Sequence, residues 1–260
     1  MSPRNTSPRY TPPRYTPPRF AGLILALTVV VATIWLGVTG QLVLYIHPRY
    51  VVFTMIMAGL ALVVGIASFA VTPGHNDDVP PTRAGRVLSV SALALTAVIA
   101  AALVIVPPAT LTSATVDTRE INSTGVGVEV QSVEAATSAS NEAFARFTVR
   151  DWASLLAQTS DVVFYSGKPV DVAGFVTADA TDPTNVFYVS RFIVTCCAVD
   201  AQPVGVPVYS PNWADDLDTD DWVRVTGSFV ANPSSASEQP IALDPATIEL
   251  IGTPDEPYLY

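Results

Sequence analysis

Three stretches without a charged side chain constrain this chain more than anything else in it: residues 20–46, 50–71 and 87–106. Each supplies the roughly 20 apolar residues needed to cross a hydrocarbon core. The hydrophobic run of a cleaved signal is only about 7–15 residues, so the first stretch is too long for one. The lengths predict three membrane-spanning helices inside a membrane domain over residues 20–108.

Arginine placement orients them. Arg4, Arg9, Arg14 and Arg19 precede the first span, Arg83 and Arg86 lie between the second and third, and only Arg49 lies between the first and second. The positive-inside rule then places the N-terminus and residues 72–86 in the cytoplasm and everything after the third span outside. The expected location is a multi-pass protein of the cytoplasmic membrane, with the lipid bilayer as its first partner. Residues 1–19 repeat Pro-Arg at intervals of five. Proline at that density builds neither helix nor sheet, so this tail reads as a disordered, topology-setting segment.

Charge divides at the same boundary. Residues 1–108 carry seven Arg against two Asp, net +5. Residues 109–260 carry five Arg and one Lys against 21 acidic residues, net −15. An acidic folded half repels phosphate, which excludes nucleic acid as a partner.

Pro107-Pro108 ends the third span, and residues 109–124 read as a Ser/Thr-rich connector. Residues 125–260 read as a β-rich extracytoplasmic domain. Val126, Val128 and Val130 suggest a first strand. Residues 141–158 turn helical, with Phe144, Phe147, Leu155 and Leu156 on one face and Thr148-x-x-Asp151 as a cap. Strands are predicted at 170–176, broken at Gly174, then at 186–195, 222–230 and 241–251, with a turn marked by Pro203 and Gly205. Val-Asp-Val-Ala-Gly-Phe-Val in one strand matches Val-Arg-Val-Thr-Gly-Ser-Phe-Val in another. The fold class is therefore α+β: three transmembrane helices followed by a small OB-like barrel, with an irregular sandwich as the alternative.

Both cysteines of the chain are adjacent, in Thr195-Cys196-Cys197-Ala198-Val199-Asp200. Three readings stand beside one another. Cys196, Cys197 and Asp200 hold a soft or borderline metal ion; the thiols form a vicinal disulfide outside the cell; or two small side chains fill the interior. Arg191 and His47 are further candidates for contact with a substrate or partner, although an interfacial role for His47, beside Pro48 and two Tyr, is the plainer one. His75, Asp77 and Asp78 form a loop with few ligands, read as solvated. Asp216, Asp218 and Asp220 alternate as in a calcium loop, but Asp221 and Gly227 stand where the EF-hand needs Gly and Glu. No His follows residue 75, which removes a Ser-His-Asp or Cys-His pair from within the domain, so no enzyme is expected.

The segments Gly-Lys-Pro-Val-Asp-Val-Ala-Gly-Phe-Val and Arg-Phe-x-x-x-Cys-Cys-Ala-x-Asp-Ala-Gln-Pro-Val-Gly, with a late Trp-Val-x-Val-x-Gly and three leading spans, resemble the YcgQ-like family of bacterial membrane proteins. Val199 stands where that family more often has Ala, and its His-rich loop is reduced here to His75. The resemblance implies a subunit of a two-component permease system, working beside a multi-span permease. None of the three spans carries the charged residue that marks an ion route, so the chain is not expected to transport alone. The expected function is an accessory subunit whose exported domain captures or gates substrate. The alternatives are a stand-alone envelope protein of metal-binding or thiol-redox type, and a structural scaffold.

Overall fold

The computed structural model describes residues 19–71, 87, 90–91, 94–99, 102, 110–116, 119, 121–122 and 131–260. It divides into two compact units. Met1–Gly40 and Val52–Pro107 form one; Gln41–Val51 and Pro108–Tyr260 form the other.

In the first unit, helix α1 spans Arg19–Val38, and α2 begins in the second unit and spans Pro48–Val71. Small residues let these helices approach closely, since a methyl group at Gly37 would overlap Met55 and one at Gly65 would overlap Leu27. Among the described residues one helix, over Pro48–Ser68, is long and apolar enough to cross a membrane. A soluble core helix would bury such a segment, whereas Phe53, Ile56 and Val63 are all exposed. Of the three spans expected, the described residues support this one. The first stretch is helical only to Val38, because Gly40 takes a left-handed conformation that ends it. A single 3₁₀ turn, Gln41–Leu44, follows. The apolar run of α1 is thus the shorter Leu23–Val38. Of the third stretch, residues 87, 90–91, 94–99 and 102 are helical. The rest of it lies outside the described residues, as do the Pro-Arg tail, the His75 loop and the strand expected at Val126–Val130.

The second unit is built on six strands: β1 (Val170–Ala178), β2 (Val186–Ile193), β3 (Gln202–Tyr209), β4 (Trp222–Ala231), β5 (Ile241–Leu250) and β6 (Tyr258–Leu259). β1, β2 and β3 form an antiparallel meander. β3 meets β5 in parallel at Val208 and Leu243, β5 pairs antiparallel with β4, and β4 returns to β1. Five strands therefore close on themselves, and β6 adds in parallel to β2.

Closure depends on close approach at two matching glycines. At Gly174 a Cβ would collide with the Ser190 carbonyl, and at Gly227 with that of Asp244. β1 runs through Gly174 without the expected break; the irregularity falls instead at Thr226/Gly227 in β4.

A further correction concerns Pro203 and Gly205, expected to mark a turn. They lie inside β3, opposite Phe192 and Ser190. Pro203, Gly205 and Pro207 alternate, so their backbone groups share one edge. Asn122 occupies that edge, its amide bonding both N and O of Gly205 at 3.1 Å while its own N–H donates to Pro203 O. The prolines therefore lack donors only where β2 asks for none.

Short helices precede the ring: α3 (Ser113–Val116), α4 (Val133–Thr137), α5 (Asn141–Phe144), α6 (Val149–Gln158) and α7 (Val162–Tyr165). The expected cap forms. Thr148 and Asp151 make a reciprocal capping box at the start of α6. The single helix expected over 141–158 is two, α5 and α6, with Phe144 and Phe147 in edge contact between them. Val149, Trp152, Ala153 and Leu155 of α6 enter the main core, where Trp152 and Tyr165 each meet Phe229 at 5.1 Å. A second cluster joins Phe175, Phe192, Val194, Trp222 and Tyr258 to Val116 of α3. Phe187 and Val189 of β2 thus face one core while Phe192 and Val194 face the other, as a period of two requires.

Candidate functional site at the Cys196–Cys197 turn

β2 stops at Ile193, and the chain bends before a single 3₁₀ turn, Ala198–Asp200, leads into β3. This connection holds both thiols, and the Asp200 carboxylate builds it. Oδ2 accepts from the Cys196 N–H at 2.8 Å, and Oδ1 from Thr195 N at 3.2 Å and Cys197 N at 3.4 Å. Because the chain turns here, the two side chains do not diverge as they would on a strand. Their sulfurs lie 3.5 Å apart. Cys196 is exposed and Cys197 half-buried, and both are free thiols. Filling the interior is thus not their role.

Charges tune the pair. Burial alone would raise the Asp200 carboxyl, but the Cys196 thiol and bonds from the N–H groups of Cys196, Cys197 and Thr195 outweigh it and hold it below the usual range. In return the Asp200 acceptor, with Cys197 beside it, pushes the Cys196 thiol up to about 11. The resting state is a protonated thiol whose Sγ–H is directed at Cys197 Sγ, beside the Asp200 carboxylate.

Residues 41–51, the link from α1 and the first turn of α2, pack directly on this turn. The His47 N–H donates to Cys196 O at 3.0 Å, the Ala198 N–H donates to Tyr45 O at 2.9 Å, and Ile46 and Cys197 form an antiparallel bridge. The Arg49 guanidinium donates to Thr195 O at 2.9 Å. From the other side Arg119 donates to Ala201 O and, at 2.8 Å, to Val199 O. Tyr260 completes the contact: its hydroxyl donates to Val43 O at 3.2 Å and its ring lies 4.8 Å from that of His47.

His47 is therefore brought to the cysteines, although by its backbone and ring. Its Nδ1 accepts from the Arg49 N–H at 3.1 Å, leaving the proton of the neutral ring on Nε2. Burial, then the Arg49 charge, lower its pKa, and Asp200 partly offsets them.

Arg191 is placed elsewhere. Its guanidinium donates to Pro257 O at 3.1 Å and to Glu256 O and lies over Trp222, so it fastens the C-terminal segment beside β2. In the Asp loop Asp216 and Asp218 are exposed, while Asp220 accepts from the Ser113 N–H and hydroxyl and Asp221 from the Asp218 N–H.

For a metal ion, the turn offers two thiols in contact, while both oxygens of Asp200 are engaged by backbone N–H groups. Among the described residues no group of three or more His, Cys, Asp and Glu is arranged to hold one. Arg49, Arg119, Tyr45 and Tyr260 were not singled out by the sequence. The one signal for Arg49 was its isolation as a lone charge between two apolar stretches.

Residues 127–260 match the family described as the DUF1980 C-terminal domain, and the chain belongs to that bacterial family of unknown function. No curated protein and no solved structure matches it.

Proposed function

We propose that this chain is a membrane-anchored accessory subunit of a transport system, acting through the Cys196–Cys197 turn of its C-terminal domain. One observation carries the reading. The thiol turn is joined by backbone hydrogen bonds through Tyr45 and His47, and by Arg49, to the segment connecting the two apolar helices. A chemical event at the thiols therefore reaches the ends of both helices through a few residues of chain.

In this reading the chain has the three spans of its apolar stretches, a cytoplasmic N-terminus and an extracytoplasmic C-terminal domain. The order β1-β2-β3-β5-β4, closing on β1 with β3 and β5 parallel, supports an OB-like barrel, a fold that binds ligands on its second and third strands. The Cys turn is the link between those strands. The YcgQ-like resemblance supplies the partner, a multi-span permease, for which the domain captures or gates substrate.

Affinity isolation of the full chain from detergent-solubilised native membranes tests this. A multi-span membrane protein is expected in stoichiometric amount, and replacing both cysteines with Ser should leave the complex intact while abolishing its transport. Recovery of the chain by itself refutes the proposal. A stand-alone thiol protein is the second reading, favoured by two free sulfurs at 3.5 Å, and it predicts that solitary result.

A further inference from the structure

Two neighbouring thiols rarely meet, because adjacent side chains on an extended strand point to opposite faces. Here the Asp200 carboxylate gathers the N–H groups of Thr195, Cys196 and Cys197 and turns the chain between them. The sulfurs at 3.5 Å need to approach by only about 1.5 Å to reach the length of a disulfide. Cys196 is exposed to an incoming reagent, and its half-buried neighbour is in place to resolve the product.

The peptide unit between the two cysteines would become part of the eight-membered ring that such a bond closes. Its carbonyl is the acceptor for His47 N–H, and the next N–H, of Ala198, is the donor to Tyr45 O. Closing the ring rotates this unit and so draws on the two bonds that hold residues 45–47.

We infer that Cys196 and Cys197 are a two-electron thiol–disulfide site, and that forming the ring loosens the grip of the turn on the segment between α1 and α2. The reaction partner is a disulfide, of a small thiol or of a protein dithiol oxidase. One cysteine thiolate attacks a sulfur of R–S–S–R, forming a mixed disulfide and releasing RS⁻. The second attacks the mixed disulfide, forms the Cys196–Cys197 bond and releases the other RS⁻. The two cysteine protons end on the two RSH products. The cysteines are oxidised by two electrons, the reagent is reduced by two, and a dithiol reverses the sequence. Asp200 sets the entry step, since the thiol it holds must give up its proton before attacking.

The loosening deepens the proposed function, whereas ring closure stands on its own, and the experiment separates them. The full chain in detergent is treated with oxidised glutathione, alkylated with iodoacetamide and digested. The peptide bearing both cysteines is expected unalkylated and lighter by two hydrogens, and a dithiol should restore two alkylations. Two alkylated cysteines, or two mixed disulfides without a ring, overturn the site. Amide exchange at His47 and Ala198 is then compared between reduced and oxidised protein. Exchange about five- to tenfold faster after oxidation is expected, the worth of about one backbone hydrogen bond. A ring that forms with exchange unchanged overturns the coupling and leaves the site. Cys197→Ser serves as the control for mere modification: it should take one glutathione and show no acceleration. Neither overturning result bears on permease recovery, which tests the accessory-subunit reading separately.

Discussion

Replacing Asp200 with Asn should make Cys196 react faster, and the gain follows from the geometry of the turn. The Cys196 thiol stands at about 11, because the Asp200 carboxylate, and then Cys197, favour its protonated form. An ordinary thiol titrates near 8.5, so at pH 8 the folded site holds roughly 200-fold less thiolate than a free one. A more basic thiolate is a better nucleophile. With a Brønsted slope of about 0.4–0.5, that recovers about 10- to 20-fold. The net suppression is about 10- to 20-fold, and Asp200 causes the larger share. On a Cys197→Ser background only Cys196 reports, and an aromatic disulfide that releases a coloured thiol gives the rate. Asp200→Asn should raise that rate several-fold at pH 8, with about 20-fold as the ceiling. The rate should also rise at a lower pH, its midpoint falling from near 11 toward the ordinary range. Asn keeps one carbonyl acceptor for the backbone N–H groups, yet the turn will loosen somewhat. Loosening alone changes the plateau rate and leaves the midpoint where it was. An unmoved midpoint would refute the argument, whatever the change in rate.

Other outcomes follow from the same structure. The Asp200 carboxyl lies below the usual range, so its hold on the turn is complete above about pH 4 and is lost as pH falls through that lowered value; the Cys196 amide chemical shift should titrate there, and a midpoint at or above an ordinary Asp would contradict it. Trp152→Ala empties a fully buried site against Phe144 and Phe229 and should cost about 3–5 kcal/mol in denaturant unfolding; a loss below 1 kcal/mol would mean that α6 is not part of the core. Gly174→Ala drives a methyl group into the Ser190 carbonyl and should cost about 1–3 kcal/mol, while a neutral result would open the β1–β2 closure. Breaking the exposed Arg224–Asp171 pair, 2.5 Å apart, with Asp171→Asn should change stability by less than about 1 kcal/mol despite its geometry.

The strands were legible where one physical signal acted alone. β1, β2, β4 and β5 are runs of eight to ten residues rich in β-branched and aromatic side chains, and a period of two places Phe187 and Phe192 in opposite cores. The matching placement of Gly174 and Gly227 in two strands was legible, and both are places of close backbone approach. β3 was missed because Pro203, Gly205 and Pro207 carry the composition of a turn. What makes them a strand is their spacing of two, which puts every missing donor on the edge held by Asn122, itself 83 residues from Gly205 in sequence. No local window contains that partner. The first apolar stretch misled in the opposite sense: uncharged composition continues to Ile46, while the helix ends at Val38, before the left-handed Gly40.

The candidate site shows the same limit at longer range. Two adjacent cysteines and an Asp three residues on were enough to locate the turn, and Asp200 is indeed its builder. The sequence offered Asp200 as a ligand because a carboxylate near thiols is ambiguous: the same oxygens can meet a cation or the N–H groups of a tight turn, and the bend requires the second use. His47 was set apart from the cysteines because the chain was divided by hydropathy, and by that measure residues 47–49 are merely a gap between two apolar stretches. Yet a gap of this kind carries unsatisfied backbone groups from the end of one helix and the start of the next. Tyr45 O and His47 N find their partners in the Cys turn, which has unpaired groups of its own after β2 ends. Each segment supplies what the other lacks. The division at residue 108 that charge and hydropathy suggest is therefore crossed by residues 41–51, and the adjacent thiols sit beside them.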